Sequence, residues 1–171
     1  YDKIKVIFNH VVTQRIQLIF YNSSLHFQPT NTTPGFIPDG VGGFFEFLKG
    51  RVVIPSTGSL HDFRHVIRHE LVHVFMVTKV YRVLVDHRIR TDILPPLWFV
   101  EGLAEYYSTE VDAQAEMVMR DAVINNYFVG LEDMYMIYGS FLMYKEGQSF
   151  LDFVEAKYGK EKVMLMIENF W

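Results

Sequence analysis

Residues 61–75, HDFRHVIRHELVHVF, carry a histidine at every fourth position, and a chain holds that spacing on one surface only by forming a helix. Phe63, Val66, Ile67, Val74 and Val77 supply the apolar side, and Ser59 with Asp62 reads as the cap that starts it. His61, His65, His69 and His73 then stand one turn above each other, so each neighbouring pair could reach a single ion. Only the last pair has Glu directly after its first member, giving His69-Glu70-Leu71-Val72-His73. In this H-E-x-x-H arrangement two imidazoles bind Zn²⁺, and the Glu can take a proton from metal-bound water. The plainer alternative makes the two histidines and Glu70 ordinary polar residues of a helix. It sits poorly with Leu71, Val72, Val74 and Phe75 around them, because uncompensated polar groups are costly to bury. His61 and His65 lack the Glu and are expected near the surface; His10, His26 and His87 have no partner in sequence and default to structural roles.

A catalytic zinc site generally has three protein ligands and one position for water. The chain has no cysteine, which removes disulfides, thiolate nucleophiles and Cys-ligated zinc, and leaves His and carboxylate as the ligands to seek. A metzincin would need Gly at 76 and His at 79, where this chain has Met76 and Lys79. The remaining route is a carboxylate from a later helix. WFVEGLAEYY offers Glu101 and, one turn on, Glu105, in a segment apolar nearly all round. Two carboxylates there need partners: a metal for Glu101 and a histidine ring N–H for Glu105 would serve both.

Elsewhere, RIQLIFYN alternates Ile16, Leu18 and Phe20 with polar neighbours, as a half-buried strand does. Residues 28–43 are dense in Pro, Gly, Asn and Thr and read as a long loop. FFEFL and RVVIP, joined by Lys49-Gly50, read as a hairpin with Glu46 on one strand. After Pro95-Pro96 come a helix at LWFVEGLAEYYS, a third over about 110–127, and two more in Tyr138–Trp171 divided near Tyr158-Gly159-Lys160. Strands first and helices afterwards predict an α+β fold. With 171 residues, half of them apolar, one domain is expected, with the sheet and metal helix in about 1–80 and a helical lobe in 81–171. The net charge of −4 and the scattered Lys and Arg speak against a nucleic-acid partner, and no apolar run is long enough for a membrane span. Opening at Tyr1, the chain reads as a fragment of a longer protein.

At these residues the sequence resembles the gluzincin metallopeptidases, the thermolysin-like and alanyl-aminopeptidase-like zinc hydrolases. It looks most like bacterial peptidase-MA-like domains, which carry a W-x-x-E-G-x-A-E-Y block after the motif, here Trp98 to Tyr106. The likeness runs from about the FFEF hairpin to the Tyr158-Gly159 break, specific at the two blocks and weak between them. It implies a zincin-like domain, a small twisted sheet beside the metal-binding helix with a helical C-terminal lobe. It makes His69, His73 and Glu101 the zinc ligands, Glu70 the general base, and Glu105 the partner of His69. It also implies an oxyanion-stabilising Tyr upstream of Lys-Gly, for which Tyr144 in Tyr144-Lys145-Glu146-Gly147 is the candidate and Tyr138 the second. The order Lys-Glu-Gly departs from the family's Glu-Lys-Gly, and a core or surface tyrosine remains an alternative for Tyr144. Aminopeptidases of the family hold a substrate amine with a strand Glu; the Gly-x-Met-Glu-Asn block for that role is absent, so Glu46 reads as an exposed strand residue.

The expectation is a hydrolase, a zinc-dependent metallopeptidase acting on a peptide or protein substrate. The alternatives are a catalytically degenerate zinc- or peptide-binding accessory domain and a metal-free helical module. The resemblance further suggests an exported bacterial protein, periplasmic or at the cell surface, with other domains beside this one.

Overall fold

The computed structural model describes residues 1–29, 42–46, 49–109 and 113–171; most of the expected loop at 28–43 and two residues of the expected hairpin lie outside them. The order is α1 (Asp2–Phe8), β1 (Gln17–Tyr21), α2 (Ser24–Phe27), β2 (Phe44–Glu46), β3 (Arg51–Pro55), α3 (Leu60–Asp86), α4 (Leu97–Ser108), α5 (Ala113–Ile124), a 3₁₀ helix (Leu131–Ile137), α6 (Phe141–Tyr158) and α7 (Lys160–Glu168). The protein is thus α+β, mostly helical, with one three-stranded sheet. Two compact units divide it, Tyr1–Phe75 and Met76–Trp171, and the division falls within α3. The sequence places the corresponding division near residue 80.

In the first unit β3 is the central strand, parallel to β1 and antiparallel to β2. Phe44 opposes Val53 and Glu46 opposes Arg51, so the hairpin expected around Lys49-Gly50 forms. Val52, Val53 and Ile54 are buried because both faces of β3 are covered. Val52 and Ile54 pack with Phe63, Val66, Ile67 and Val74 of α3, and Val53 packs with Phe27 of α2. This arrangement corrects the reading of β1. Leu18 and Phe20 do lie on the α3 side, Phe20 against the Phe63 ring at 5.0 Å, yet at the sheet edge both stay about half exposed. Ile19 and Tyr21, on the α2 side, pack on the Phe27–Val53 cluster instead.

The ambiguous first residues form α1. Ile4 and Phe8, one turn apart, are buried; Asn9 in the left-handed conformation (φ 42°) ends the helix. The rings of Phe8 and Tyr1 lie 5.9 and 5.2 Å from that of Phe75 on α3. Helix α3 begins as its sequence predicts, with the Asp62 N–H donating to Ser59 Oγ at 3.2 Å. Its 27 residues extend roughly 40 Å.

In the second unit the main packing is of α4 on α6, and two glycines set its closeness. A Cβ on Gly102 would stand 2.5 Å from the Gly147 carbonyl carbon, and one on Gly147 only 2.3 Å from the Trp98 carbonyl oxygen. The two backbones touch where neither residue has a side chain. The carbonyl of Pro96 accepts from Phe99 and Val100, which starts α4 immediately after the prolines. Between α6 and α7 the break falls at Gly159, whose φ of 98° favours glycine. Lys79 of α3 donates to Glu168 of α7 at 2.6 Å. No described helix is long and apolar enough to cross a membrane.

Candidate metal centre

The first unit supplies the histidines. On α3 the rings of His69 and His73 lie 4.7 Å apart at 79°, and those of His65 and His69 lie 6.1 Å apart at 59°. Within each pair a ring nitrogen of one residue comes within 4.8 Å of a ring nitrogen of the other. Two nitrogens that both bind one ion at about 2.0–2.1 Å cannot be much farther apart than about 4 Å, so modest rotamer adjustment brings either pair to chelating distance. Imidazole is a donor for zinc and its borderline neighbours, so the residues present fit such an ion.

Glu70, the next residue after His69 and about 100° round the helix, is 4% exposed. Its Oε1 lies 3.3 Å from the place a Cβ would take on Gly43, just before β2. Val66 Cγ1 and the Val53 carbonyl oxygen stand 3.0 and 3.1 Å from the same point. A side chain at 43 would therefore press on Glu70, and the glycine leaves the carboxylate its room.

The other histidines behave mostly as expected. His61 is exposed beside Asp62, His10 stands edge-on to Phe75, and His26 Nδ1 is 3.3 Å from Ser23 Oγ. His87 Nδ1 lies 2.9 Å from the Val83 carbonyl, with its ring stacked on Trp171. His65 departs from expectation, being partly buried and beside His69.

The second unit holds the expected carboxylates. Glu101 is partly buried on α4, and Glu105, one turn on, is buried. Glu105 Oε2 accepts from Lys145 Nζ at 2.5 Å and from Thr109 Oγ1 at 2.9 Å. The Lys145–Glu105 pair has side chains 3% and 8% exposed, and it is the partner that sequence reasoning missed. Lys145 stood in sight only as the residue after Tyr144, although a lysine between Met143 and Gly147 on a buried helix face needs an anion. Its Nζ also lies 5.2 Å from the centre of the Phe141 ring. Tyr144 is partly buried on α6, whereas Tyr138, ending the 3₁₀ helix, is 70% exposed.

Two further acids have clear environments. Glu46 is bound by Arg51 across the hairpin and by Lys49 at 3.0 Å. Desolvation works to raise its pKa, but these two cations hold it below the ordinary carboxylate value. Glu146, beside Lys145, is 1% exposed; its Oε1 accepts from the Val129 N–H at 3.3 Å, and Oε2 has no partner among the described residues. Burial pushes its carboxyl up, against the Val129 bond. No family model matches this chain, and no curated protein or solved structure matches it either, so the likeness to gluzincins rests on its own residues.

Proposed function

We propose that this chain is a zinc-dependent metallopeptidase domain of the gluzincin type. His69, His73 and Glu101 hold Zn²⁺, Glu70 is the general base, and Tyr144 is the oxyanion donor. The observation that carries the reading is the His69–His73 pair, with rings 4.7 Å apart and a buried carboxylate at the intervening Glu70. Bound zinc supplies a Lewis acid that brings the pKa of a coordinated water towards about 7. Glu70 would serve as the general base, holding the proton of the attacking water and delivering it to the leaving amine, and its burial would keep bulk solvent from taking over this transfer. The Tyr144 hydroxyl donates to the oxygen of the scissile carbonyl as negative charge gathers there.

In this reading Glu105 would be the partner of the His69 ring N–H, while Lys145 and Thr109 donate to its Oε2 and tie α4 to α6. Glycines 102 and 147 support this division by letting the backbones of α4 and α6 meet. The test is cleavage of a mixed peptide library by zinc-loaded wild type and Glu70→Gln. The reading predicts cleavage by wild type, with a loss of at least about 100-fold in the variant at unchanged zinc content. Equal, negligible cleavage by both would support the accessory-domain reading. That second reading draws on the Lys145–Glu105 pair, since a cation on Glu105 weakens the charge it can offer an imidazole.

A further inference from the structure

We infer that His65 and His69 form a second seat for a borderline divalent ion on α3, overlapping the His69–His73 pair and exclusive with it. Three observations lead there. The His65 and His69 rings lie 6.1 Å apart, with ligand atoms within 4.8 Å of each other, so the pair differs from its neighbour in degree and not in kind. Both side chains are partly buried, so their orientations are restrained by packing and not left to solvent. The ladder is graded: His61 is 93% exposed, His65 and His69 are partly buried, and the next turn carries buried Val72, Val74 and Phe75.

The two seats share His69. A neutral imidazole offers one lone pair to a metal, so a single ion takes His69 with either His65 or His73. The ladder therefore holds one ion in two alternative positions a turn apart. The closer rings of His69 and His73 favour the inner position. When that position is disabled, the ion moves one turn outward and keeps two nitrogen donors. Copper(II) is the suitable probe, since it binds imidazole strongly and tolerates a tetragonal set of nitrogen and oxygen. This inference goes beyond the proposed hydrolase and needs neither Glu101 nor turnover, so its failure and the failure of that proposal are separable.

The experiment titrates the chelator-stripped 171-residue chain, purified without nickel, with copper(II) and counts nitrogen donors from the superhyperfine splitting in electron paramagnetic resonance. Far-UV circular dichroism confirms that each variant keeps its helices. His73→Gln is expected to bind one copper with two nitrogens, and so is His65→Gln. The double variant His65→Gln/His73→Gln is expected to lose the two-nitrogen signal. His69→Gln, which disables both seats at once, should bind more weakly than either single variant. A His73→Gln spectrum with one nitrogen would overturn the inference. Equal binding by His69→Gln and His73→Gln would overturn it too, because the ion would then sit on His61 and His65.

Discussion

Replacing Lys145 by Met removes one member of the ion pair between α6 and α4 and leaves Glu105 in place. Its Nζ lies 2.5 Å from Glu105 Oε2, with the two side chains 3% and 8% exposed. At an effective dielectric constant of about 20, unit charges at that distance attract by roughly 7 kcal/mol, and the desolvation of both ions offsets much of this. The intact pair therefore adds little net stability. Breaking it is different: Met keeps the volume but leaves a buried carboxylate without its balancing cation, with Thr109 still donating to that oxygen, a loss of about 3–5 kcal/mol. Urea unfolding at pH 7 reads the difference. With a slope of about 2 kcal/mol per molar, the midpoint should fall by roughly 2 M, a large part of a typical domain's total stability of about 5–15 kcal/mol. Adding Glu105→Gln to Lys145→Met should recover a substantial part of the loss, since the stranded charge is gone. A loss below about 1 kcal/mol, the worth of an exposed pair, would refute the claim that this contact is buried and coupled.

Gly147→Ala should destabilise the protein despite a helix-propensity gain of about 1 kcal/mol, because a Cβ 2.3 Å from the Trp98 carbonyl oxygen forces α4 and α6 apart; a thermal midpoint equal to or above wild type would contradict this. Glu146→Gln tests the buried acid. Since burial raises the Glu146 pKa in the fold, the neutral acid's contribution is complete below the ordinary value of 4.5 and is lost as pH rises towards the folded value. The variant should match wild type below that value and gain on it across the window above; stability curves that stay parallel with pH would show that Glu146 ionises normally.

The long helix was legible because its histidines, apolar residues and Ser59 cap all repeat with one period, and the Gly159 break was legible because a positive φ leaves a glycine in the sequence. The hairpin followed from two short apolar runs around Lys49-Gly50. Less could be read where tertiary contacts decide. The α2 segment Ser24–Phe27 is too short to show a period, yet its Phe27 determines which side of β1 is packed more closely. The 3₁₀ helix at Leu131–Ile137 likewise has no long-range pattern. In the site, Glu105 was readable as a carboxylate needing a partner, but Lys145 lies forty residues on, and only the packing of α4 on α6 brings the two together. The same packing gives Gly102 and Gly147 their meaning, which in sequence is no more than two glycines following a glutamate.

X-ray absorption at the zinc edge, on chain stripped with chelator and reloaded with one equivalent, tests the central claim most directly. The account predicts tight uptake of one ion with two imidazole nitrogens at about 2.0–2.1 Å and carboxylate oxygen at about 2.0–2.2 Å. One imidazole should disappear from the spectrum in the double variant His65→Gln/His73→Gln, and the carboxylate in Glu101→Gln. Failure of the wild-type chain to take up zinc, or a shell without imidazole, would contradict it.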